Sequence, residues 1–118
     1  MNEERIITMP FNIPAWNIEA ATGYEPKTTF WQDFWIAIPF GEEAVKDTYS
    51  RAFNEWKTSH EYITEMALVL NHIGWALYNN PGTKNLSILF FELWEQLDGW
   101  CYENLEGEAK EYYNRVTD

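Results

Sequence analysis

Basic side chains are scarce in this chain: eight Lys and Arg stand against nineteen Asp and Glu, for a formal net charge of −11. Direct binding to a nucleic-acid backbone is excluded as an expectation, because neutralising phosphates requires clustered Lys and Arg. Cysteine is scarcer still. Cys101 alone allows no internal disulfide and no Cys-based zinc site, and a reducing, cytoplasmic setting follows as the default. No stretch reaches the roughly 18 uninterrupted apolar residues of a membrane span. The first residues, "MNEERIITMPFNIPAW", open acidic and break at Pro10 and Pro14. They lack both the basic start and the apolar run of a secretory signal.

Catalytic signatures are missing as well. The chain has no Gly-rich phosphate loop, no G-x-S-x-G and no H-E-x-x-H. It also has no Glu-x-x-His pair of the kind that builds di-iron sites in helical bundles. His72 lies two turns from Glu65 and His60 points to another face, so no local His and carboxylate dyad exists. The expectation is a non-enzymatic chain without a metal or cofactor.

Aromatic side chains are abundant. The 118 residues are 46% apolar and 18% aromatic and include seven Trp, which suits one globular domain and not a disordered chain. Residues 1–27 carry Pro10, Pro14, Gly23 and Pro26 without a lasting period and read as an irregular arm, in which "RIITMPFNI" is a candidate short strand. Residues 28–118 read as a helical bundle domain.

Local signals place its helices. Thr29 with Gln32 forms a capping box, and the helix that it starts ends near Ile38, because Pro39 disfavours helical geometry in the residue before it. Glu42 and Glu43 suit the first turn of a second helix. Thr58 with Glu61 forms another box before "HEYITEMALVLNHIGWALYN". "NNPGT" is a strong turn, followed by "NLSILFFELWEQLDGWCYENL" and, after Gly107, by "EAKEYYNRV".

The densest aromatic stretch, "TTFWQDFWIAIPF", raises the question of core against surface. At about 100° per residue, Phe30, Trp31, Phe34, Trp35 and Ile38 share one arc of roughly 140°. Helix two offers Val45, Tyr49, Ala52, Phe53 and Trp56. Helix three offers Ile63, Met66, Leu70, Ile73 and Leu77. Helix four offers Leu86, Leu89, Phe90, Leu93, Leu97, Trp100 and Cys101, where Cys101 reads as a small buried hydrophobe. Such stripes close on one another, which predicts an all-α fold: a compact bundle of four main helices plus a short C-terminal helix.

What lies outside those stripes supplies the candidate sites. Between Thr58 and Ala109 stand eight carboxylates and one base, Lys84. On helix four the back face carries Glu92, Glu95, Asp98 and Glu103 together with Ile88, Phe91 and Tyr102, a mixture that suits an interface with a basic protein. The bland alternative covers Phe91 and Tyr102 with the arm or the last helix. A second candidate surface on helix three joins Glu61, Glu65, Leu68, His72 and Trp75. Its bland alternative packs Leu68 and Trp75 against helix one. A ligand or enzymatic pocket of Trp31, Trp35, His72 and Trp75, and a homodimer formed through surplus aromatics, are the competing functional readings.

Four segments, "TTFWQDFWIA", "AVKDTYSRAFNEWK", "YITEMALVLNHIGW" and "ENLEGEAKEYYNRVTD", together resemble a group of small acidic proteins encoded on conjugative elements and phages of gut Firmicutes. The resemblance runs from about Thr28 to Asp118, and "IPFGEEAVKD" departs from it. It carries no functional residue over to this chain. It implies a setting: mobile elements carry small non-enzymatic proteins that assist transfer or block host defences, among them acidic inhibitors of restriction and CRISPR nucleases.

Overall fold

In a computed structural model, which describes residues 27–28, 30–79 and 81–117, each helix forms within about two residues of its predicted bounds. The order is α1 (Phe30–Ala37), a 3-10 turn (Ile38–Phe40), α2 (Glu42–Trp56), α3 (His60–Tyr78), a second 3-10 turn (Pro81–Thr83), α4 (Lys84–Asn104) and α5 (Glu108–Thr117). Among the described residues there is no strand, and the fold is all-α. The expected strand in "RIITMPFNI" and the cap at Thr29 lie outside the described residues.

Proline and glycine divide α1 from α2 as their chemistry requires. Pro39 sits in the 3-10 turn, and Gly41 follows at φ 102° and ψ −178°, a conformation that side chains with a Cβ avoid. Its N–H closes the turn on the Ile38 carbonyl at 3.2 Å. Glu42 and Glu43 then occupy the first turn of α2, where carboxylates meet the positive end of the helix dipole. The cap of α3 differs from the predicted Thr58–Glu61 box. Ser59, in extended geometry, accepts the Tyr62 N–H at 3.3 Å. Thr58 falls instead in the turn that closes α2.

The stretch that raised the question of core against surface is mostly inside. Phe30, Phe34 and Ile38 are buried, with Trp31 and Trp35 partly buried against the same cluster. Phe30 meets Phe34 edge-on at 4.3 Å and Trp56 at 4.8 Å, and Phe34 meets Phe90 at 5.3 Å. Offset and edge-on pairs of this kind add to the area that each ring removes from water. Ile36 and Phe40 are the exceptions and face solvent.

α3 is the central helix. Every residue from Ile63 to Leu70 is buried, so this half of the helix has neighbours all round and not only along one stripe. α3 touches every other helix, α4 most extensively, then α5, with smaller contacts to α2 and α1. The resulting three-helix layer of α3, α4 and α5 positions the candidate site.

Candidate functional site

α4 follows α3 through a short turn and runs back along it, so that successive turns of the two helices meet in a seam. Gly74 sets the closest approach. A Cβ at that position would stand 2.8 Å from Cε1 of Phe91, so the absence of a side chain lets the Phe91 ring lie across α3. Trp75 meets the same ring edge-on at 5.1 Å and Tyr78 at 5.5 Å. The Lys84 ammonium lies 4.7 Å from the centre of the Tyr78 ring. Ile88 stands one turn before Phe91 on α4. Trp75 is 51% exposed and Ile88 58%, and Glu92 and Glu95 are exposed beside them.

α5 covers the other half of the seam. Lys110 donates to the Tyr102 carbonyl at 2.6 Å and holds its ammonium 4.5 Å from the Tyr102 ring centre. The Tyr113 hydroxyl donates to Oδ1 of Asp98 at 2.5 Å, and Tyr112 meets His60 edge-on at 5.2 Å. Ring and hydrogen-bond contacts from α5 (Glu108–Thr117) reach His60, Asp98 and Tyr102 on α3 and α4, and among the described residues none reaches Trp75 or Phe91. A cavity of about 280 Å³ lies where α5 ends, lined by Asn71, Trp94, Asp98, Tyr102, Tyr113 and Asn114 among others.

The seven residues predicted on α4 therefore divide. Ile88, Glu92 and Glu95 are exposed and Phe91 is partly covered, by Trp75 and Gly74. Asp98 is a correction: it is half-buried and bonded to Tyr113, because the last helix packs on that side of α4. Tyr102 and Glu103 remain exposed, with Lys110 on the Tyr102 ring.

The second predicted surface does not hold together. Glu61 is exposed, His72 is half-buried and Trp75 is exposed. Leu68 is buried and lines the cavity beside α5. Glu65 is fully buried. Its carboxyl oxygens accept the backbone N–H of Lys27 at 2.6 Å and of Thr28 at 3.0 Å, and also the Thr28 hydroxyl. The Thr28 hydroxyl oxygen in turn accepts the Phe30 N–H at 3.2 Å. A polar residue read as solvated is thus the anchor that fixes where α1 begins, and its burial is tolerated because it is hydrogen-bonded.

Chemical reactivity is muted around the seam. Burial pushes the Cys101 thiol up to about 12, with the neighbouring Asp98 adding to the effect. Burial, reinforced by the hydrogen bond to Asp98, raises the Tyr113 phenol well above its ordinary value. Both groups are therefore protonated near neutrality, which leaves Tyr113 as the donor to Asp98 and Cys101 as a thiol and not a thiolate. Burial lowers the pKa of His72, whose Nε2 has no hydrogen-bond partner. The cavity on the seam is not lined by His72, Trp31, Trp35 or Trp75. Among the described residues no group of three or more His, Cys, Asp or Glu is placed to hold a metal ion. Among them, too, no helix is long and apolar enough to cross a membrane.

No family model matches the chain, and no curated protein or solved structure matches it either.

Proposed function

We propose that the chain is a non-enzymatic, acidic protein-binding module of a mobile genetic element. The end of the α3–α4 seam that α5 leaves uncovered docks on a basic protein surface, of the kind that lines a nucleic-acid-binding groove in a host defence protein. One observation carries this reading. Trp75 is half exposed and leans on Phe91 and Tyr78 with Ile88 close by, at the edge of a face that carries Glu92 and Glu95 on a chain of net charge −11. Aromatic anchors surrounded by charge are the usual composition of a binding hot spot. The negative field raises the rate of encounter with a basic partner more than it raises final affinity. The mobile-element setting rests on the segment resemblance described above.

The test is a retention experiment run in parallel on the unaltered chain, Trp75→Ala and the double reversal Glu92→Lys/Glu95→Lys. A partner retained by the unaltered chain, released at high salt and lost from both variants is the expected result. A partner retained equally by all three overturns the assignment of this face.

A further inference from the structure

The cavity at the end of α5 is lined by aromatic, carboxylate and carboxamide residues together with Ala67, Leu68 and Thr117. Trp94, Tyr102 and Tyr113 contribute three aromatic rings, Asp98 contributes a carboxyl group, and Asn71 and Asn114 contribute carboxamides. No basic side chain is among the described residues that line it. Aromatic rings attract cations through their quadrupole, and a half-buried charge is screened less than one in open solvent. Asp98 is held in place because its Oδ1 takes the Tyr113 hydroxyl at 2.5 Å, which leaves further acceptor capacity on the carboxyl group. The carboxamide oxygens of Asn71 and Asn114 are additional acceptors for an N–H donor.

The protein already uses this chemistry beside the cavity. Lys110 places its ammonium 4.5 Å from the Tyr102 ring centre and donates to the Tyr102 carbonyl. Volume narrows the ligand further. At about 280 Å³, the space sits near the lower bound of roughly 300 Å³ for small-molecule sites. That admits an aliphatic amine and disfavours a nucleotide, whose phosphates Asp98 would also repel.

We infer that this cavity is a binding site for an alkylammonium group, with Asp98 as its counter-ion and Trp94 and Tyr113 as its aromatic walls. The group arrives either as a free small amine or as the side chain of a peptide lysine. The site is separate from the docking face, since Trp75, Tyr78, Ile88 and Phe91 do not line it, and its failure would leave that reading untouched.

Titration of the full chain, followed by the Trp94 indole N–H resonance in ¹⁵N-labelled protein and assigned through Trp94→Phe, tests the inference. The probes are n-butylammonium chloride, Nα-acetyl-lysine methylamide, n-butanol and sodium chloride at matched ionic strength. The expected result is a saturable shift with at least one of the two amines and none with n-butanol or sodium chloride. A tenfold preference between the amines identifies the source. Asp98→Asn is expected to weaken binding at least tenfold. Should that variant lose its helical circular dichroism, Asn114→Trp takes its place, because it fills the cavity from an exposed position on α5 and leaves the Asp98–Tyr113 bond intact. Absence of saturation with both amines, an equal response to n-butanol, or unchanged affinity in the folded variant would overturn the site.

Discussion

At one end of the α3–α4 pair, Tyr102, Asp98 and His60 are met by Lys110, Tyr113 and Tyr112 of α5. At the other, Trp75, Tyr78 and Phe91 have one another and Lys84. Exposure alone does not separate the two ends, because Tyr102 is 63% exposed and Trp75 only 51%. Partnership does. Tyr102 takes its cation, Lys110, from α5, whereas the rings at the Trp75 end take theirs, Lys84, from α4 itself, so their described partners all come from the two helices that bear them.

Disruption below the seam should produce the largest effect and should not distinguish the ends. Phe34→Ala removes a fully buried ring that joins α1 to Phe90 of α4. It is expected to cost about 3–5 kcal/mol in denaturant unfolding, with one transition for the whole chain. Glu65→Ala comes next. It strips the acceptor from the Lys27 and Thr28 donors and should cost about 3 kcal/mol by the same measurement, while Glu65→Gln, which keeps one acceptor, should cost less.

The two ends should then respond in opposite ways. Tyr113→Phe deletes the bond to Asp98 and should destabilise by about 1–2 kcal/mol without weakening partner binding. Trp75→Ala should change stability by less than about 1 kcal/mol and abolish retention of the partner. Gly74→Ala probes the geometry that seats Phe91. A Cβ there must displace the ring, yet the gain in helix propensity, about 1 kcal/mol, offsets the lost contact. Near-neutral stability with weakened binding is therefore expected, read from unfolding and affinity together.

The smallest expected effect is a pH dependence at His72, which flanks the bare end. Burial holds its folded pKa below the ordinary value, so below about pH 6.5 the unfolded chain binds the proton first. Stability should fall as pH drops from about 6.5 towards the lower folded value and level off beneath it, with a slope of at most about 1.4 kcal/mol per pH unit. His72→Gln should flatten that segment of the stability profile.

Much of this fold was legible in the sequence because its signals are local. Pro39, Gly41, the acidic first turn of α2 and the apolar periods of α1, α3 and α4 placed the helices, and Phe30, Phe34, Ile63, Leu70 and Leu97 were read as core and are buried. The cap of α3 moved by one residue, to Ser59, since Thr58 and Ser59 are both competent and only backbone geometry chooses between them. What stayed hidden depended on which helices meet. A projection of α3 alone puts Glu65 on a polar side and cannot show that the approach to α1 brings two backbone N–H groups to its carboxyl group. Trp75 and Phe91 were assigned to two separate surfaces, although Gly74 is the local sign that a large side chain crosses there. Asp98 was counted as open surface because the length of α5 does not say which half of the seam it will cover.

The most direct measurement compares two single truncations against the partner identified by retention, at matched salt and with helical content verified. Loss of affinity of more than tenfold in Trp75→Ala, with Tyr102→Ala within twofold of the unaltered chain, is the predicted result. The reverse pattern would place docking on the end that α5 covers and contradict the account.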